Sequence, residues 1–203
     1  VAKRNTGSAA SALRERLAQE AARLIIEHGM EDYGQAKRKA AARLGVTDAG
    51  VLPSNTQIEA SLAERQRIFE PDTHPLRLQS LRELAAQLMQ ALSPFQPRLV
   101  GPVLSGTATI NTAIELHLFT DSPENVALVL ERRGIGFREY QRRYRFDNKK
   151  VTVIPGFSFS VAGARVYAIT FPEKGLRQAP LSPVDQRPMR RAGRAQVLAL
   201  LND

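Results

Sequence analysis

The period of the apolar residues changes at Ser93-Pro94, and no other feature constrains the fold of this 203-residue chain as strongly. Before that point apolar residues recur at intervals of three and four. Leu13, Leu17, Ala21 and Leu24 fall on one helical face, and Gly29 supplies a stop. Asp32 with Gln35, and Ser54 with Gln57, are spaced as capping pairs that open a second and a third helix. The second ends at Gly45, and the third is expected to turn Ile58, Leu62 and Phe69 inward. Pro75 suits the first turn of a fourth, whose seam is Leu78, Leu81, Ala85, Leu88 and Leu92. After Pro94 the runs are short and β-like: Leu99–Leu104, Ile114–Phe119, Phe137–Phe146, Val151–Val161 and Arg165–Phe171. One helix, Pro123–Arg133, interrupts them. The pattern predicts an α+β protein with a helical region over 1–92. A mixed β-sheet with helices packed on it should follow over 93–172, then a basic Pro/Arg-rich loop and a short helix over 173–203.

Composition narrows the function. There is no cysteine, which removes disulfide frameworks, zinc ribbons and thiolate catalysis. The longest clean apolar runs, such as Val126 to Leu130, are far short of the ~18 residues of a membrane span, and no apolar segment follows the basic pair near the N-terminus. A cytoplasmic protein with no membrane partner is expected. The net charge of +9 favours polyanionic partners. RNA is expected ahead of DNA; solubility alone is the plainer account. A helix-turn-helix around Arg43–Glu59 is disfavoured, because VTDAGVLPSN is long for a 3–4-residue turn.

The segment 99–134 carries the chemistry. A strand runs into a Gly/Ser/Thr loop, a second strand follows, and then a helix. A nucleotidyl-transfer site needs a small-residue loop through which backbone N–H groups approach a triphosphate. It also needs two carboxylates two residues apart on one strand face, to hold the metal ions that clamp the attacking and leaving oxygens.

Gly101, Gly106-Thr107 and Thr112 ahead of the strand resemble the polymerase-beta-type nucleotidyltransferase superfamily. Its signature is Gly-Ser, a short gap, often Gly-Thr, and then Asp-x-Asp on a strand. The whole chain, with its basic proline-rich tail, also resembles bacterial proteins described as nucleotidyltransferase-like. The resemblance implies a nucleotidyltransferase-like sheet, with Gly101, Ser105, Gly106 and Thr107 around a nucleoside triphosphate. It implies Glu115 as catalytic residue and ligand to Mg²⁺. The departures are as informative. Pro102 replaces the signature Ser and Ala113 the first Asp. Tyr167 or Ala168 stands where a third carboxylate belongs. The expected protein therefore binds nucleotide or nucleic acid through a degraded motif, with little or no transfer. The alternatives are an active Mg²⁺-dependent enzyme drawing on another carboxylate such as Asp121, and a module that docks a protein partner. The plainer accounts are a turn glycine at 106, and Glu115 and His117 as polar residues on an exposed strand face.

Two basic clusters are the nucleic-acid candidates. The tail carries Lys174, Arg177, Arg187, Arg190, Arg191 and Arg194, and contains no aromatic residue. The run 138–145 carries Arg138, Arg142, Arg143 and Arg145, with Tyr140 and Tyr144 between them. Arginine offers planar, bidentate recognition of phosphate. Arg142, Arg143, Arg177, Arg187, Arg190 and Arg191 are the expected contacts. A solvated, salt-bridged face is the ordinary explanation.

Overall fold

The computed structural model describes residues 3–147 and 150–202, with side chains from residue 9 onward. It is α+β, with a helical region ahead of a five-stranded mixed sheet. Compactness divides the chain at His74 rather than at Leu92. One unit holds Val1–His74, Thr109–Asn111 and Pro183–Asp185; the other holds Pro75–Ala108, Thr112–Ser182 and Gln186–Asp203.

The first unit is built on α1 (Lys3–His28), which packs against α2 (Tyr33–Arg43) and α3 (Asn55–Phe69). Small residues let the first two approach closely: Ala18, Ala21 and Ala22 of α1 share a buried cluster with Ala36, Ala40 and Ala41 of α2. Both capping pairs form as read. Asp32 accepts from Gln35 N–H, and Ser54 and Gln57 make a reciprocal capping box. Ile58 and Leu62 are buried, but Phe69 is 68% exposed. It is the last residue of α3, where the seam has run off the packed face.

The second unit begins within α4 (Thr73–Ala91). Its seam, Ala85, Ala86, Leu88 and Met89, packs with the sheet core. Strand β1 (Arg98–Val100) is shorter than expected, because Gly101 starts a one-turn helix, α5 (Gly101–Ser105). Then come β2 (Ile114–Phe119), α6 (Glu124–Arg132), β3 (Phe137–Arg145), β4 (Val151–Val161), β5 (Ala164–Phe171) and, after the tail, α7 (Arg194–Ala199). The strand order is β1-β2-β5-β4-β3, with β2 and β5 parallel and the other neighbours antiparallel.

The alternation in β2 divides the core. Ile114, Leu116 and Leu118 join residues of α4, α5, α6 and α7 on one face. Ala113 and Phe119 join Tyr144, Ile154, Tyr167, Ile169 and Phe171 on the other. Among the described residues no α-helix contributes to this second face; the sheet covers it by curling, and Leu176 of a 3-10 turn (Glu173–Arg177) packs against it. β4 pairs with β5 only from Gly156 onward, while its first residues pair with β3 alone. Pro155 marks the departure, its carbonyl accepting a bond from Thr170 Oγ1 (2.9 Å). Three strand spacings would hold β3 about 14 Å from β2 in a flat sheet. Yet Tyr140 of β3 stacks on Tyr167 (centroids 4.5 Å), and Tyr144 of β3 meets His117 of β2 edge to face (5.4 Å). The β3–β4 ribbon has folded over the face.

The tail closes what the ribbon leaves open. Leu181 N–H bonds Arg145 O at the end of β3 (2.6 Å). Further on, Ala192 and Leu99 exchange both backbone bonds at the opposite edge of the sheet (2.9 and 3.0 Å). The segment between those anchors delivers Arg191 onto the concave face, where its guanidinium lies over Phe119 and Phe171 (5.0 and 5.1 Å to the centroids).

Candidate functional site

The site grows from the turn between β1 and α5. Gly101 has φ +73°, in the left-handed region that favours glycine. A Cβ there would stand 3.2 Å from Glu115 Cδ and 3.3 Å from its Oε2. Glycine is thus required for both conformation and space, and the Glu115 carboxylate lies against its α-carbon. The partner of that carboxylate is a guanidinium: Arg142 Nη1 stands 2.7 Å from Glu115 Oε2. The side chains retain 13% exposure for Glu115 and 32% for Arg142. Burial works against the charge on Arg142, but Glu115 beside it prevails and raises its pKa above the ordinary arginine range.

The expected carboxylate positions can be placed around this pair. Ala113, 5% exposed, contributes a methyl group on the same face. Tyr167 is directly across from Glu115 in the parallel register, with Arg165 Nη1 donating to its hydroxyl (3.4 Å). Asp121 is exposed and accepts from Glu173 N–H (3.2 Å), beyond the end of β2. No group of three His, Asp or Glu that suits a metal ion occurs among the described residues. One carboxylate bound to an arginine, a methyl and a phenol are not the donor set that two hard divalent ions require. The residues present therefore do not fit Mg²⁺ with a nucleoside triphosphate.

The small-residue loop is also built differently from the expectation. Gly106 is the C-cap of α5, its N–H bonding Pro102 O (2.9 Å). Arg82 closes that end, with Nε on Val103 O (3.2 Å) and Nη2 on Leu104 O (3.4 Å). Ser105 Oγ and Thr107 Oγ1 bond each other (3.0 Å). Ser105, Gly106 and Thr107 thus terminate the short helix. Of the four expected loop residues, Gly101 is the one whose α-carbon lies against the Glu115 carboxylate.

His117 corrects the expectation of an exposed strand face, for it is wholly buried. Ribbon and tail cover the face on which it lies. Its partners fix its tautomer. Arginine has no acceptor, so Arg191 Nε donates to Nδ1 (3.1 Å), and Nε2–H then donates to the Tyr144 hydroxyl (3.1 Å). Burial, reinforced by Arg191 and Arg142, holds the imidazole well below its ordinary pKa. Burial pushes the Tyr144 phenol up, although Arg142 pulls the other way. Burial, with Arg98 nearby, brings Arg191 down to about 10. Arg191 Nη1 donates to Gly175 O (2.8 Å), while Nη2 is buried without a hydrogen-bond partner among the described residues.

The neutral imidazole links pH to stability. Its folded pKa lies below the unfolded value of about 6.5, so the unfolded chain binds the extra proton first as pH falls. The contribution is present above the unfolded value and is lost progressively as pH falls below it. His117→Gln keeps an acceptor and a donor on a neutral side chain. Urea unfolding of the two proteins between pH 7 and pH 5 should show the variant losing less stability than the wild type as pH falls. Parallel pH profiles would refute the assignment.

The six arginines expected to meet nucleic acid divide into two sets. Arg142 and Arg191 turn into the concave face and hold Glu115 and His117. Arg143, Arg177, Arg187 and Arg190 are exposed. Arg143 projects from the face of β3 opposite Arg142, as strand alternation requires. The residues missed by sequence reasoning were Tyr140, Tyr144, Phe119 and Phe171 as lining of the face; the alternating aromatics of β3 were the available signal. None of the described helices is long and apolar enough to cross a membrane.

The class defined by this geometry is an α+β protein with a curled mixed sheet and an arginine-neutralised carboxylate on its concave face. No family model matches the chain, and no curated protein does.

Proposed function

We propose that this chain is a nucleotidyltransferase-like domain that has given up transfer and binds nucleotide or nucleic acid, RNA ahead of DNA. The observation that carries this reading is the Glu115–Arg142 pair. The Glu115 carboxylate, which the superfamily resemblance would give to a metal ion, is held instead by the Arg142 guanidinium beside the Gly101 turn. Loss of metal-ligand carboxylates removes the electrostatic stabilisation on which phosphoryl transfer chiefly depends. What supports binding is the exposed arginine set on β3 and the tail, together with the net charge of +9.

Two measurements test the reading. Purified protein with Mg²⁺ or Mn²⁺ and each nucleoside triphosphate should release no pyrophosphate above the rate of Glu115→Gln. Single-stranded RNA should bind with a log–log salt slope of about −3 if four arginines each neutralise a phosphate. Replacing Arg177 and Arg190 by Ala should weaken all sequences alike and flatten that slope by about 1.4. Base preference should be slight, because the tail offers no ring for stacking. Pyrophosphate release abolished by Glu115→Gln would overturn the loss of transfer. Absence of RNA and nucleotide binding at low salt would overturn the binding role and favour the protein-docking alternative.

A further inference from the structure

Strand β3 is an edge of the sheet, nine residues long, hydrogen-bonded along one side to β4. Along its other side the described residues provide one backbone bond, Leu181 N–H to Arg145 O. In an antiparallel ladder the N–H and C=O of one residue point the same way, and the direction alternates along the strand. Arg145 O points outward, so Arg143, Gln141 and Glu139 also present their backbone groups outward. Pro155 gives the same answer independently. It stands opposite Gln141, and its carbonyl is engaged by Thr170 on the β5 side, so this is not a hydrogen-bonded pair of the β3–β4 ladder. Glu139, Gln141 and Arg143 are exposed. An open edge of this length is a template for another strand.

We propose that this edge pairs antiparallel with the same edge of a second copy of the chain, about a two-fold axis through Gln141. The sequence selects that register. With the axis at Gln141, Glu139 stands opposite the partner's Arg143, Tyr140 opposite the partner's Arg142, and Arg138 opposite the partner's Tyr144. Two pairs of opposite charge, Glu139 with the partner's Arg143 on the exposed face of each strand, then meet across the axis. Moving the axis one residue back sets Arg138 against the partner's Arg142; one residue forward sets Arg142 against the partner's Arg142 and Glu139 against the partner's Arg145, whose outward carbonyl Leu181 already holds. Two residues either way oppose Glu139 to the partner's Glu139, or Arg143 to the partner's Arg143. Like charges directly opposite destabilise a strand pair, so each of these neighbouring registers is penalised. Glu139 and Arg143 lie on one face of one strand about 13 Å apart, too far to satisfy each other within a single chain. The interface is isologous and closes at two subunits.

Sedimentation equilibrium of the whole chain tests this. The wild-type protein should be a reversible dimer. Glu139→Arg, or Arg143→Glu, should weaken association about tenfold or more, because each turns two attractive pairs into two repulsive ones. The double swap Glu139→Arg/Arg143→Glu restores opposite charges and should recover most of the affinity. Gln141→Pro removes an outward N–H at the axis that β4 does not use; it should abolish the dimer and leave the far-ultraviolet circular dichroism of the fold unchanged. A wild-type monomer at the highest attainable concentration overturns the proposal, as does a dimer indifferent to the charge swaps. A monomer that takes up an acidic peptide at this edge overturns it also, and assigns the edge to a different partner.

Discussion

Replacing Arg142 by Met should destabilise the protein by about 2–4 kcal/mol, because it strands the Glu115 carboxylate on a covered face. The expected loss sits toward the lower part of the range for buried pairs, since Arg142 keeps 32% of its side chain exposed. Among the described residues Arg142 is the cation that pairs with Glu115. Ala113 beside it is a methyl, Tyr167 across from it is a phenol, and Arg191 is engaged by His117 and Gly175. Glu115→Gln/Arg142→Met removes both charges and should recover most of the stability, because two neutral side chains of similar volume escape desolvation. Urea midpoints for the two single variants and the double variant give the coupling directly. A coupling near zero would mean that the pair is a surface contact and that the carboxylate remains available to a metal ion. Such a result would undercut the proposed loss of transfer as well. The Arg142→Met protein answers one more question: freeing the carboxylate supplies only one ligand, so it should not create nucleotide transfer.

How much of this was legible in the sequence depends on the range of the interactions involved. Capping pairs at Asp32 and Ser54, and the alternation that sets Ile114 and Leu116 against Glu115 and His117, are local, and they appear as read. The element boundaries that moved were decided by tertiary contacts. Val103 and Leu104 read as strand, yet they form a turn of helix, because Gly101 bends the chain there and Arg82 caps the end. The fourth helix follows the first three in sequence, but its apolar seam fits the sheet. The candidate site was legible only in part, for the same reason. The run through 113–117 identified one carboxylate, an alanine in place of its neighbour, and a histidine on the same face. It gave no sign that Arg142 and Arg191 would turn inward, because charge is counted along the chain while burial is set by the curl of the sheet and the course of the tail. Arginines that looked alike in one dimension separate into two that hold the concave face and four that lie exposed.

Gly156→Val should be the most damaging single substitution in the second unit, costing about 3 kcal/mol or more. A Cβ at this position would lie 2.4 Å from Ala168 O and 2.9 Å from Ile169 Cα. Both are backbone atoms of the neighbouring strand, so no rotamer change relieves the clash. Gly156 is also where β4 begins to pair with β5, at the root of the ribbon that carries Arg142 and Tyr144 over the face. If β4 is pushed off β5 there, the ribbon should lift, and the two long-range pairings that depend on it should weaken together. These are Glu115 with Arg142 and His117 with Tyr144. Gly156→Ala is the gentler version of the experiment, since it adds one methyl group and leaves more folded protein to measure. In that background the Glu115–Arg142 coupling should fall to less than half its wild-type value, and the His117-dependent pH profile should flatten. Wild-type stability in Gly156→Ala would show that the strands have room to separate. A stability loss with the coupling intact would show that the ribbon is held over the face by the tail, through Leu181 and Arg145, rather than by the bend at Gly156.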